Sequence, residues 1–149
     1  MNKFNLEEFL PYKLSILSQT ISRLIAQEYE SRFGLSMNQW RCMVVINNTT
    51  SITAKEISKN TLLDKMTVSR SLRALEQREL IKLSASQIDA RQRDITLTIT
   101  GQDICNDVLP IAQDYEKALL GSLTESEIQA LDSIAKKLIF TAGNLGLIK

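Results

Sequence analysis

A mainly α fold with one small β-hairpin (class α+β) is predicted by three observations on this sequence. First, amphipathic segments of helical period fill most of the chain, and two short ones are joined by a tight turn within residues 53–77. Second, the next residues alternate apolar and polar side chains in two runs, Ile81-Lys82-Leu83-Ser84 and Asp94-Ile95-Thr96-Leu97-Thr98, the pattern of strands that bury one face. Third, the stretch between the runs, SASQIDARQR, is too polar for a core and reads as a loop. Helix, turn, helix and hairpin in that order make a winged helix-turn-helix, and that order points to a reader of DNA.

The first helix of the pair opens with Thr53 and Glu56, a capping box in which each side chain satisfies a free backbone donor at the other's position. Ile57 is its apolar contact, and Asn60, Thr61, Leu62 and Leu63 are expected to make the turn. Asp64 then offers a carboxylate to the orphan N–H groups of the second helix, which begins at Lys65. Val68, Leu72 and Leu75 recur at helical spacing and define its buried face.

The opposite face of the second helix carries Met66, Arg70, Arg73 and Gln77, flanked by Thr67 and Ser69. A solvated polar face is the plain reading of such a surface, but in a helix-turn-helix it enters the major groove, where Arg can bind guanine through two hydrogen bonds. Lys65, in the first turn, is better placed for a phosphate. The polar loop is a wing whose Arg91 or Arg93 can enter the minor groove, where narrow A·T-rich segments attract guanidinium groups. Asp89 is expected to hold Arg91 in one rotamer through a charge-assisted pair. The expected DNA-contacting set is Thr53, Lys55, Lys65, Met66, Thr67, Ser69, Arg70, Arg73, Gln77, Arg91 and Arg93.

The flanking segments read as helices. A short turn opened by Asn5 and Glu8 precedes a long helix from Pro11 to Phe33, whose stripe of Leu14, Leu17, Ile21, Leu24 and Ile25 is longer than one small lobe needs. Gly34 ends it, and Ser36 with Gln39 caps a helix that turns Trp40, Met43, Val44 and Ile46 inward. After the wing, Thr98 caps a helix through about Leu120 that contains Pro110, so a kink is expected near Asn106. Thr124 and Glu127 cap the last helix, with Ile128, Leu131, Ala135, Leu138 and Ala142 on one stripe. The two terminal helical regions are expected to pair with a symmetry mate.

The run Asp64-Lys65-Met66-Thr67-Val68-Ser69-Arg70, the following Leu80-Ile81, Asp89-Ala90-Arg91 and Leu97-Thr98 with Gly101 resemble the signature of the multiple antibiotic resistance regulator (MarR) family, as does Leu35-Ser36-Met37-Asn38-Gln39-Trp40-Arg41. The resemblance extends from about Phe9 to about Leu120. It implies an obligate homodimer of winged helices, usually a repressor released by a small molecule or by oxidation, with Arg91 as the wing arginine and Asp89 as its orienting partner. Two positions depart from the family pattern: Glu79 stands where it usually has Gly, and Leu83 where it usually has Arg. A non-glycine residue in a left-handed helix cap costs about 1 kcal/mol, so the second helix is expected to end differently here.

The expected organisation is one domain over residues 1–149, with a DNA-binding lobe at 36–98 and a helical dimerisation region from 1–33 and 102–149. The net charge is only +1, but nine of the basic residues and six of the acidic ones fall between Thr53 and Asp94, the sign of a DNA footprint. With no His, no Gly-rich phosphate loop and no carboxylate cluster, nothing proposes an enzyme, a metal site or a cofactor. Cys42 and Cys105 lack metal or C-x-x-C spacing and read as small buried hydrophobes. Lacking a long apolar span or a signal-like N-terminus, the protein is expected in the cytoplasm and off the membrane.

The expected partners are double-stranded DNA, a second copy of the chain and a small-molecule effector. Tyr12, Trp40, Arg41 and Met43 would suit an aromatic or amphipathic acid, although Trp40 and Met43 also fall at core spacing. An activator of the same fold and a winged helix used for protein contact are the competing readings.

Overall fold

The computed structural model describes residues 4–146. A 3-10 turn at Leu6–Glu8 precedes α1 (Leu10–Phe33), α2 (Met37–Asn47), α3 (Ala54–Thr61) and α4 (Lys65–Gln77). The antiparallel strands β1 (Ile81–Ala85) and β2 (Arg93–Leu97) follow, then α5 (Ile99–Leu120) and α6 (Glu125–Asn144). The winged helix-turn-helix and its helical flanks therefore stand as the sequence pattern implies.

By its internal contacts the chain divides into two compact units, residues 1–112 and 113–149. The first holds the core. Met43 and Ile46 of α2, Ile57 of α3, Val68 and Leu75 of α4, Ile95 of β2 and Val108 of α5 are almost wholly removed from water in one cluster, joined by Tyr29 of α1. Each sits on the inward stripe of its element, so local periodicity and tertiary burial agree. The second unit consists of the end of α5, the turn after Gly121 and α6, whose Thr124–Glu127 capping box is formed. None of the α6 residues is buried.

The capping boxes at Ser36–Gln39 and Thr53–Glu56 are present on both arms, and Asp64 caps α4. Gly34 ends α1 at φ 61°, a left-handed conformation that a glycine adopts without strain. Three expected boundaries move. The turn of the helix-turn-helix is shorter than expected, because Asn60 and Thr61 complete α3 and Leu62 is the left-handed cap at φ 57°. The wing loop is Ser86–Gln92, because Ala85 pairs with Arg93 and Ser84 with Asp94. Helix α1 starts one residue before Pro11. As expected, α5 runs to Leu120 with Pro110 inside it.

The end of α4 corrects the expectation for Glu79. Leu80 N–H donates to Leu75 O at 3.0 Å and Glu79 N–H to Glu76 O at 2.9 Å, the paired bonds of a Schellman cap. Glu79 takes the left-handed place itself, at φ 56°. The helix ends as a glycine would end it, because burial of Leu75 and Leu80 on each other's side of the cap offsets the strain. Gly101 is needed for a different reason: a Cβ there would lie 2.1 Å from the Leu80 carbonyl oxygen.

These positions give opposite stability predictions. Leu62→Gly and Glu79→Gly should each raise the stability by up to about 0.5 kcal/mol, seen as a higher urea midpoint, after glycine's extra unfolded-state entropy is set against relieved strain. Gly101→Ala should lower stability by about 3 kcal/mol, because backbone must shift to admit the methyl group. Equilibrium unfolding of the three variants checks both signs.

Candidate nucleic-acid interface

The recognition surface is built from the turn outward. Ser58 Oγ donates to Leu63 O at 2.6 Å, Thr61 Oγ1 donates to Ile57 O at 2.7 Å and accepts from Leu63 N–H at 3.3 Å. These bonds close the chain around Leu62 and fix where α4 begins. Asp64 then accepts from Thr67 N–H at 2.9 Å and from Thr67 Oγ1 at 2.6 Å. The hydroxyl bond, ahead of the backbone one, holds the Asp64 carboxyl below its usual range; the Thr53 bonds do the same for Glu56. Groups whose folded pKa is depressed stabilise the fold above their unfolded pKa, and that contribution is lost as pH falls through the folded value. Both caps therefore loosen in acid, below about pH 4.

This geometry sorts the predicted contacts. Thr53 and Thr67 donate their hydroxyl protons to Glu56 and Asp64, so each serves a helix cap first and offers DNA only an acceptor. Lys65, Met66, Ser69, Arg70, Arg73 and Gln77 are exposed on α4, and Met66 keeps 72% of its surface in water. Arg91 and Arg93 are exposed on the wing. None of Lys65, Arg70, Arg73, Arg91 or Arg93 belongs to an ion pair found among the described residues. Their charge is free for a polyanion.

Helix α4 and the wing face a common cleft of about 560 Å³. Lys65, Ser69 and Arg73 line it from α4, Arg91 and Arg93 from the wing, and Thr53 and Lys55 from the start of α3. Its floor is apolar, made by Val68, Leu72, Leu83 and Ile95. Leu83, half-buried where the family usually has Arg, thus lines the cleft with carbon instead of charge. Gln92 and Glu76 also line it and were not singled out by the sequence, where neither stands on a distinctive pattern.

Asp89 does not pair with the Arg91 guanidinium. Its Oδ1 accepts from Arg91 N–H at 2.9 Å and its Oδ2 from Gln92 Nε2 at 3.2 Å. The carboxylate bonds its own loop two residues on, the ordinary habit of Asp in a turn, and so orients the backbone and not the side chain.

The four residues expected to hold an effector are divided. Trp40, 8% exposed, stacks on Tyr29 with ring centroids 5.4 Å apart, and Met43 is fully buried. Tyr12 and Arg41 are exposed. Trp40 and Met43 are core, as their spacing allowed. Cys42 and Cys105 are also buried, and desolvation pushes both thiols up to about 11. Among the described residues no group of three or more His, Cys, Asp or Glu could hold a metal ion, and no helix is long and apolar enough to cross a membrane.

The sequence model of the MarR family matches residues 35–92, the span that holds α2, the helix-turn-helix and most of the wing. The chain carries a MarR-family domain. The likeness continues outside that span. The HTH-type transcriptional regulator MgrA of Staphylococcus aureus is 27% identical over 138 residues, 93% of this chain and 92% of its own length. A MarR/EmrR family transcriptional regulator from Acinetobacter sp. ADP1 superposes with a TM-score of 0.84 at 27% identity, covering 95% of this chain and 99% of that one. The S. aureus MepR–DNA complex matches the fold at a TM-score of 0.82 and 23% identity, over 93% of this chain and 99% of its own. With a MarR-family domain and relatives of this kind, the protein is a DNA-binding transcriptional regulator and not an enzyme.

Two predictions follow from the contacts of this MarR-family domain. Asp89→Asn keeps an acceptor for Arg91 N–H and should keep wild-type DNA affinity, whereas Asp89→Ala should weaken it several-fold by loosening the wing. Fluorescence anisotropy on one duplex compares them; equal losses would restore an ionic role for the carboxylate. The two thiols should stay unreactive toward a disulfide reagent at pH 7.5 in the native protein and titrate together on unfolding.

Proposed function

We propose that this regulator is a homodimeric repressor that binds a pseudo-palindromic operator in the cytoplasm and is released by a small aromatic or amphipathic acid. The observation that carries the reading is the unpaired cationic set on α4 and the wing, Lys65, Arg70, Arg73, Arg91 and Arg93, exposed on the two elements that a winged helix presents to DNA. In the proposed complex the first turns of α4 lie in the major groove. Arg70 and Gln77 reach base edges, Met66 meets a thymine methyl group, and Lys65 and Lys55 meet phosphates. Arg91 enters the minor groove, with Arg93 at the foot of the wing. The MepR structure, solved with DNA on the same fold, supports DNA as the partner. A winged helix used for protein contact would present an apolar or acidic face in place of these cations.

Dimerisation is supported by apolar surface that the single chain leaves in water. Leu10, Leu14, Leu17 and Leu24 are exposed on α1, and Leu131, Ile134, Leu138 and Phe140 on α6. Rows of this length on two helices exceed what a monomer ordinarily exposes. In the proposed dimer, residues 1–33 and 102–149 form the helical base, and two-fold symmetry sets the recognition helices about 34 Å apart, one turn of DNA. The effector is supported by the cleft between α4 and the wing, whose apolar floor and cationic rim suit a small aromatic carboxylate. An acid seated there would occupy DNA-facing cations directly, a simpler route than the pocket first expected around Tyr12 and Arg41.

The test is a titration of the purified protein against the duplex upstream of its own gene and a scrambled duplex, at physiological salt. Preference for the native duplex, with two subunits per site, is expected. Arg70→Ala should reduce discrimination between the two duplexes by about 1 to 3 kcal/mol, and Arg91→Ala should weaken both with little change in discrimination. A monomer by light scattering at micromolar concentration would overturn the dimer, and equal binding of both duplexes would overturn sequence-specific repression at that site. Release from DNA by millimolar benzoate, lost in Arg73→Ala, is the expected effector result.

A further inference from the structure

Ile88 keeps 98% of its surface in water, at the tip of the wing. A lone exposed apolar side chain is ordinary on a protein surface. This one is held out by construction. Ser86 N–H donates to Gln92 O at 3.2 Å and Gln92 N–H to Asp89 O at 2.9 Å, which closes the loop on itself. Ser86 Oγ accepts from Ile88 N–H at 3.3 Å and from Asp89 N–H at 3.4 Å, while Asp89 Oδ1 accepts from Arg91 N–H. The two polar side chains that tie the loop, Ser86 and Asp89, are half-buried, and Gln87, Ile88 and Ala90 are left facing out. The loop thus ties its one carboxylate to its own backbone and presents a branched hydrocarbon three positions from Arg91.

We propose that Ile88 is an apolar wedge of the wing: it enters the minor groove beside Arg91, packs on deoxyribose faces and opens a base step. Minor-groove proteins use Ile, Leu, Phe and Met in this way, at the cost of partial unstacking. Pyrimidine–purine steps unstack most easily, so the wing selects flexible DNA without reading a base edge. The inference rests on the DNA-binding mode proposed above and adds a residue that fixes specificity by deformation. Arg91 supplies attraction that salt screens; Ile88 supplies contact that salt does not screen.

The experiment uses a duplex selected by the protein from a random pool, with 2-aminopurine substituted in turn for the adenines flanking the central bases. Wild-type protein should raise 2-aminopurine fluorescence at one flanking step on each side. Ile88→Ala should bind about tenfold more weakly, the effect of returning most of an isoleucine side chain to water, and should lose that rise. Its slope of log affinity against log salt should match the wild type, and Ile88→Leu should restore binding and the fluorescence. Arg91→Ala should instead reduce the salt slope by about 2, one for each subunit's wing. If Ile88→Ala binds and unstacks like the wild type while Arg91→Ala binds weakly, the wedge is wrong and the wing contact stands. If neither variant alters binding, the wing does not meet DNA and the proposed binding mode falls with the wedge.

Discussion

The relative placement of recognition helix and wing depends on one backbone group, the carbonyl of Leu80. It accepts from Thr98 N–H at 3.0 Å, so a residue just past α4's cap is bound to the residue just after β2. One position earlier, Glu79 O accepts from Thr98 Oγ1 at 2.7 Å, and Thr98 Oγ1 in turn accepts from Gly101 N–H at 3.1 Å to cap α5. Helix α5 can approach this carbonyl only because residue 101 has no Cβ. Three elements therefore meet at a point where none has room to slide. In the proposed complex, with Arg70 in one groove and Arg91 in the next, that rigidity matters, since a small shift between helix and wing would spoil both contacts at once.

A second tie runs from the same end of α4 to α1. Arg78, the residue at the C-cap of α4, donates from its guanidinium to Gly34 O at 3.2 Å and to Phe33 O. Those are unsatisfied carbonyls at the end of α1, where a cation also meets the negative end of the helix dipole. A helix with an exposed apolar row is thus bonded directly to the helix that carries Arg70 and Arg73. In the proposed dimer, a shift of α1 on its partner would reach α4 through these charge-assisted hydrogen bonds.

What the sequence disclosed and what it withheld divide along physical lines. Capping boxes at residues 36–39, 53–56 and 124–127 are local, so three residues of separation were enough to read them. Inward stripes such as Val68, Leu72 and Leu75 follow from helical period alone. Partner choice is another matter. Asp89 had two donors within reach on Arg91, and only the closed loop decides for the backbone N–H over the guanidinium. Thr53 and Thr67 looked free on a helical wheel, which shows faces but not the carboxylate that takes each hydroxyl. The cleft was invisible for the same reason: its walls come from residues 53–95 of four elements, and no local pattern brings Lys55 beside Arg91.

The recognition helix is bracketed by two non-glycine residues in left-handed conformations, Leu62 at φ 57° and Glu79 at φ 56°. Each carries strain of about 1 kcal/mol, and such strain persists only where surrounding bonds over-determine the backbone. At the first, Ser58 and Thr61 hold the turn through side-chain hydrogen bonds. At the second, the Schellman bonds and the Thr98 hydroxyl hold it. The two ends of α4 are thus fixed by their neighbours' bonds and not by the preference of the residue in place. That accounts for a MarR-family fold surviving the loss of its usual glycine at Glu79: the position demands a backbone conformation, and the fold supplies enough bonds to impose it on glutamate.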